Sequence, residues 1–443
     1  MGYRITTPIN VMNVETGVAD LETRVELLME RFMFKHRIKT DRLVRKNLEN
    51  VIVMREEEEW ESMEPWARAW VKLEEWTECC KTAEMSREEW VEVGTFLAKG
   101  GFKVNWEMGK RRKQIEIPDR AMFREINNGF WNGMNADEVV EVYTDGSKKR
   151  GMDAVGSRMV VRGTNSEWED FGWFLNKATS VFSAEAYAIL QALRYVNDKP
   201  KNRKFLIITD SASVLEKVAH VGKNQGDCPW CFEIVRKLRK NALWNDREDV
   251  NAMNVAFAWV PSHVGIEGNE RADLQARLAT RGEEELGVGV SIRDIRLYLS
   301  EGAWERFINR MTTIGMSKEA KYFSNPKNNV GNKKPWFFKV TGVDREVLTR
   351  MSRLKANHFN LGESLFRKNL IESKECSCGY GEESIGHVVW DCEKFLMDRL
   401  DLNLYLEERG FSPGSDVLDI FMSGNLGVCK KISKFLNKLG RII

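Results

Sequence analysis

Val139-Val140-Glu141-Val142-Tyr143-Thr144-Asp145-Gly146-Ser147 is a β-branched run that delivers an aspartate into a glycine turn. Its Val, Tyr and Thr content and its glycine punctuation predict a strand ending at Asp145, and α/β proteins build their sites where strands end. Taken alone, Asp145 reads equally well as a turn residue. A second run, Phe205-Leu206-Ile207-Ile208-Thr209-Asp210-Ser211, is almost uninterrupted in its apolar character, as expected of a strand buried on both faces, and it too ends on an aspartate. Between them, Ser183-Ala184-Glu185-Ala186-Tyr187-Ala188-Ile189-Leu190-Gln191-Ala192-Leu193 repeats apolar residues at helical spacing, with Glu185 one turn before Ile189 on the flank of the buried stripe. A charge so placed needs a partner.

Trp259-Val260-Pro261-Ser262-His263-Val264-Gly265-Ile266-Glu267-Gly268-Asn269-Glu270-Arg271-Ala272-Asp273 reads as a strand end, a glycine-bearing loop and a helix start, with His263 and Asp273 flanking the loop. Tyr143-Thr144-Asp145-Gly146-Ser147, Ala184-Glu185, Thr209-Asp210-Ser211, and His263 followed by Gly268-Asn269-Glu270-Arg271-Ala272-Asp273 resemble the ordered motifs of the RNase H family. Order, residue type and element agree over about residues 138 to 282, a third of the chain. The resemblance implies an α/β RNase H-like fold with flanking helices, and the strand-like runs at 139, 152–162, 168–175, 205 and 255 predict a five-stranded mixed sheet. A mainly helical segment is expected before it and a small helical tail after it.

The residue types suit that chemistry. Four carboxylates brought together repel one another and hold protons unless a cation neutralises them. Hard Mg²⁺ prefers oxygen ligands and keeps waters for substrate phosphate. Two such ions about 4 Å apart activate the attacking water and stabilise the leaving oxygen in an in-line displacement at phosphorus. The resemblance therefore implies hydrolysis of the RNA strand of an RNA–DNA hybrid, leaving 5′-phosphate and 3′-hydroxyl ends. Asp145, Glu185, Asp210 and Asp273 would hold two Mg²⁺ ions, with Mn²⁺ as the alternative, and His263 would shuttle protons or help release product. Singly, these carboxylates read as solvated strand ends and a helix-surface glutamate, and His263 as an ordinary loop histidine. Their joint order argues otherwise. One departure stands out: two residues after Asp210 the bacterial enzymes carry a glutamine that touches the hybrid, and here the position is Ala212, which puts that contact in doubt.

With 443 residues the chain has room for two or three domains, and 42% hydrophobic residues suffice for real cores. A net charge of +2, from 68 basic and 66 acidic residues, excludes a globally basic nucleic-acid binder and directs attention to local runs. Those are Lys110-Arg111-Arg112-Lys113, the stretch from Lys199 to Lys204, Arg236-Lys237-Leu238-Arg239-Lys240 and Lys430-Lys431, each either a phosphate contact or a solvated face. Nothing approaches the roughly 18 apolar residues of a membrane span and no signal pattern opens the chain. A soluble, intracellular protein is expected, in nucleus or cytoplasm. Met1-Gly2-Tyr3-Arg4-Ile5-Thr6 fits a myristoylation pattern that also occurs by chance. Eight cysteines in so long a chain do not make a disulfide scaffold.

Residues 1–137 read as a helical segment similar to the one that follows the polymerase in non-LTR retrotransposon polyproteins, although no Tyr-x-Asp-Asp or Phe-x-Asp-Asp pair is present. Within it, Glu56-Glu57-Glu58-Glu59-Trp60 and Trp66, Trp70, Trp76 and Trp90 favour helical packing over base stacking, because the acidic surroundings repel phosphate. Residues 100 to 138, including Ile115-Glu116-Ile117-Pro118, read as a connection. Cys228-Pro229-Trp230-Cys231 opens a helix as redox thiols do, but no thioredoxin-like pattern surrounds it. Residues 283–345 read as a linker around one helix at Trp304. In 346–443, Cys376, Cys378, His387 and Cys392 either close a tetrahedral zinc site or are ordinary core thiols. The neighbouring Arg353-to-Leu361 and Gly386-to-Cys392 stretches resemble the tail that follows RNase H in those retroelements, which favours Zn²⁺ and a nucleic-acid role for the tail. Two readings stay open, an RNA–DNA hybrid nuclease and an inactive module that only grips nucleic acid, while a transposase or integrase is disfavoured by the His263-to-Asp273 motif. Protein partners are not specified.

Overall fold

The computed structural model describes residues 7–38, 46–47, 49–50, 64–82, 86–114, 118–131, 138–149, 154–164, 166–200, 202–221, 228–244, 253–279, 288–318, 321–324, 330–335, 337–338, 340–422 and 425–439. The N-terminal myristoylation pattern, the Glu56–Trp60 run and Ile115-Glu116-Ile117 lie outside them. The chain divides into two compact units, Met29–Ser300 and Met1–Leu28 with Glu301–Ile443.

Among the described residues of Met29–Ser300 the strands are β1 (Cys80–Lys81), β2 (Val104–Asn105), β3 (Val139–Ser147), β4 (Ala154–Arg162), β5 (Trp168–Asn176), β6 (Lys204–Thr209), β7 (Val255–Trp259) and β8 (Val290–Ser291). Six of them form one sheet in the order β2-β7-β6-β3-β4-β5, and β1 pairs with β8 in a separate two-stranded sheet. β3, β4 and β5 run antiparallel as successive hairpins, whereas β6, β7 and β2 add in parallel beside β3. The expected sheet of five is thus corrected to six. The extra strand is two residues long, too short to show a period, and it comes from the segment read as a connection.

Helices close both faces: α1 (Arg87–Ala98), α2 (Asp119–Phe130), α3 (Val181–Asn197), α4 (Ala212–Ala219), α5 (Pro229–Trp244) and α6 (Glu267–Ala279). The near-continuous apolar run of β6 is explained by its two-sided burial. Phe205 and Ile207 join α3, α4, α5 and Val93 and Phe96 of α1 in one core. Leu206 and Ile208 face the other way, into a core shared with Met122, Phe123 and Ile126 of α2 and Ile266 and Ala272. Each such side chain contributes about 1.5–3 kcal/mol. Trp70 and Trp76 are buried and Trp90 packs edge-on to Phe232, in line with a packing role.

α3 starts at Ser180, whose side chain accepts from Ser183 N. The helix lies directly on β3: a Cβ at Gly146 would sit 2.5 Å from Glu185 N, and Ser157 Oγ donates to Ala184 O at 2.9 Å. Replacing Gly146→Ala must therefore lift the helix from the strand. We expect about 1–3 kcal/mol of destabilisation in a denaturant titration; an unchanged midpoint would contradict this contact.

In the other unit, α7 (Arg345–Lys355), α8 (Leu396–Glu407), α9 (Val417–Met422) and α10 (Leu426–Lys438) enclose a core that includes Cys376, Val388, Trp390 and Cys392. No helix among the described residues is long and apolar enough to cross a membrane.

Candidate active site

The β3–β6 register sets the site. Thr144 lies opposite Thr209 in a parallel pair, so Asp145 and Asp210 stand side by side. Asp210 lies just past the end of β6, whereas β3 runs on through Gly146 to Ser147 in its pairing with β4, and the expected strand end and glycine turn at Asp145 are corrected to a continuing strand. Glu185 reaches them from α3, held close by the Gly146 contact. Carboxylate oxygens of Asp145, Glu185 and Asp210 all lie within 4.8 Å of one another. Oxygens on opposite sides of a Mg²⁺ ion are about 4.2 Å apart, so this donor set has the size and chemistry for a hard divalent cation.

Electrostatics point the same way. Burial, then the charges of Asp210, Asp273 and Glu185, push the Asp145 carboxyl up to about 8, against a backbone hydrogen bond that lowers it. Burial raises Glu185 to about 7, with Asp210 adding to it and the Ser211 hydroxyl opposing. Asp210 is raised too, chiefly by burial, with the Asn269 amide working against the shift. Ser211 Oγ donates to Glu185 Oε2 at 2.5 Å and Trp259 Nε1 donates to Asp210 O at 3.1 Å.

Asp273 falls in a second group with His263 and Glu270, whose ligand atoms also lie within 4.8 Å of one another. His263 Nδ1 is 3.8 Å from both Glu270 Oε2 and Asp273 Oδ2. Its φ of 56° is rare for a residue with a Cβ and costs roughly 1–3 kcal/mol. Arg277 holds Asp273 through two bonds of 2.9 and 2.5 Å.

Sequence reasoning quoted Ser211, Asn269 and Glu270 within the motifs but gave none of them a role. Glu270 was within reach, because it stands three positions before Asp273 and hence on the same helix face.

Several members of the basic runs meet partners within the chain. Lys110 pairs with Glu107, Arg111 with Glu125 and Arg112 with Asp119. Arg236 pairs with Glu89 and Glu233, and Arg239 with Glu92. Lys199 and Lys204 lie over Tyr195 and Trp131, and Lys431 pairs with Asp401. Cys228 and Cys231 are both buried.

In the other unit the four sulfur and nitrogen ligand atoms of Cys376, Cys378, His387 and Cys392 lie within 4.8 Å of one another. Tetrahedral zinc with Zn–S near 2.3 Å places thiolates about 3.8 Å apart. Cys376 Sγ and Cys392 Sγ are 3.8 Å apart, and Cys378 Sγ lies 3.3 Å from His387 Nε2. Tyr380 N donates to Cys378 Sγ at 3.3 Å, the backbone support a thiolate needs. Burial pushes the Cys376 thiol up to about 11, so a cation is what would draw its proton off. The quartet fits zinc in number, type and spacing.

Mixed sheet and flanking helices define an α/β protein in which three carboxylates converge beside the central strands. The family model described as RNase H matches residues 137–281. Among individual proteins, the chain is 30% identical over 158 residues to a Ribonuclease H of Chromobacterium violaceum, covering 34% of this chain and 100% of that protein. It is 31% identical over 150 residues to the Ribonuclease H of Stutzerimonas stutzeri, covering 33% of this chain and 93% of that one. It also matches the Pol polyprotein of Equine infectious anemia virus at 27% identity over 180 residues, 40% of this chain but only 14% of the polyprotein's length. The chain belongs to the RNase H family.

Proposed function

We propose that this protein is an endoribonuclease that hydrolyses the RNA strand of RNA–DNA hybrids by two-metal-ion catalysis, within a retroelement-derived protein whose tail carries a structural zinc. The observation that carries the reading is the buried trio Asp145, Glu185 and Asp210, whose oxygens converge within 4.8 Å. Three carboxylates there oppose folding unless a cation neutralises them, which supports catalysis over passive gripping. Likeness to Ribonuclease H proteins supports the substrate, and likeness to a Pol polyprotein supports the retroelement setting.

Mg²⁺ bound there supplies charge neutralisation at the scissile phosphate and a more acidic water. The chain's own residues do the rest. Asp145 presents its oxygens from within β3 and Asp210 from the end of β6, Ser211 orients Glu185, and Asn269 orients Asp210. Glu270 and Asp273 face Nδ1 of His263, so that Nε2 is the atom that exchanges a proton with the reacting groups.

Incubating purified protein with labelled hybrid and Mg²⁺ tests the reading, with double-stranded RNA and double-stranded DNA as controls; no cleavage of the hybrid's RNA strand would sink it. His263→Ala is expected to turn over about a hundredfold more slowly but not to stop, since a proton shuttle assists chemistry without assembling the metal cage. A rate equal to wild type at every pH tested would return His263 to an ordinary loop residue.

A further inference from the structure

We propose that Arg112 and Asp119, which precede the segment matched by the family, are positioning residues that clamp the His263 loop at both ends. The proposal rests on the nuclease reading above for its kinetic consequence, but its structural basis is independent. Arg112 Nη2 donates to Val264 O at 3.2 Å, directly after His263. The same nitrogen lies 3.5 Å from Asp119 Oδ1. Asp119 Oδ2 in turn accepts from Glu267 N at 3.4 Å, at the start of α6. One ion pair thus grips the first and last peptide groups of the loop that joins His263 to the helix bearing Glu270 and Asp273.

The clamp stands on a fixed platform. In the short helix Glu107–Arg112, a Cβ at Gly109 would run into Trp259 O, so this backbone lies directly against the end of β7. Lys113 Nζ lies 4.8 Å from the Trp259 ring centroid, and that same indole donates to Asp210 O. Met108, Met122 and Phe123 share a core with Ile266 inside the loop. A charged donor that is 9% exposed holds a carbonyl more firmly than a neutral one would. His263 needs such a hold, because its left-handed backbone persists only where the surroundings over-determine it. A loop displaced by about 1 Å loses up to a hundredfold in rate.

The test uses the full chain with Arg112→Gln, Asp119→Asn and the conservative Arg112→Lys. Two measurements are made: kcat and KM on hybrid with Mg²⁺, and amide hydrogen exchange at residues 264–267. We expect kcat to fall about tenfold in Arg112→Gln and Asp119→Asn with KM unchanged, faster exchange confined to 264–267, and partial recovery of both in Arg112→Lys. Wild-type kcat and wild-type exchange in both variants would overturn the clamp. So would a uniform loss of protection across the sheet in both Arg112→Gln and the more exposed Asp119→Asn, which would make the pair merely structural. If wild type cuts no hybrid, the nuclease reading fails, and exchange, which needs no turnover, still decides the clamp.

Discussion

Asp145→Asn is expected to lose hybrid cleavage by at least roughly a thousandfold while keeping hybrid affinity, because this carboxylate would hold metal and need not touch a base. Asp210→Asn, its counterpart on β6, should behave alike. The same substitution should make the metal-free protein more stable, and the sign follows from proton linkage. Asp145 sits at about 8 in the fold against 3.8 in its ordinary state, and Glu185 at about 7 against 4.5. Between these limits the native state binds more protons than the unfolded chain, so stability falls as pH rises from about 4 to about 8. Above that window the cost of the buried charges is complete. Asn carries no charge, so Asp145→Asn in a chelator at pH 8 should melt higher than wild type, by roughly 2–4 °C for each kcal/mol relieved. The two should converge near pH 4, and added Mg²⁺ should raise wild type more than the variant. Wild-type turnover in Asp145→Asn, or identical melting of the two proteins at pH 8 without metal, would remove Asp145 from the cage.

Cys378→Ser is expected to abolish binding of one zinc per chain, measured by elemental analysis, and to unfold the segment around it. Between Cys378 and His387 only Ile385 is a buried apolar side chain, so little except a metal holds that loop. Zinc in comparable small sites contributes about 10–16 kcal/mol of apparent binding free energy at neutral pH. Hydrogen exchange should therefore lose protection over residues 376–392 in the variant, and in wild type treated with a zinc-selective chelator. Cleavage should continue in both, since the Asp145 site has oxygen ligands and its own cores. Folded, reduced wild-type protein without zinc would make these thiols ordinary core residues.

What was legible in the sequence was whatever a local pattern carries. The β-branched runs into Asp145 and Asp210, the helical period around Glu185, and the Cys376-to-Cys392 spacing are each carried by one short continuous stretch of sequence. What was not legible depends on chain that returns from far away. β2 is two residues with no period, and it becomes a strand only by pairing with Phe257 and Ala258. Nothing near Arg112 indicates that its guanidinium meets Val264 O, 152 positions later. Ser211 and Asn269 look like turn and cap residues until the strands and helix that carry them meet at the carboxylates. The basic runs show the same limit: their charge is visible in the sequence, but the carboxylates that meet Arg111, Arg112, Arg236 and Arg239 are not.

β2 has a consequence for where this chain can be cut. It covers the outer edge of β7, with Phe257 N donating to Lys103 O at 3.1 Å alongside the two strand pairs. A piece cut at residue 137 would leave that edge unpaired, next to an apolar face stripped of Met122 and Phe123. Bare edges recruit other chains, so such a piece would be a seed for aggregation more than a portable enzyme. A fragment meant to carry residues 137–281 is therefore better begun near residue 100, because a cut that respects only the family boundary keeps the motifs and loses the strand and helix that cover them.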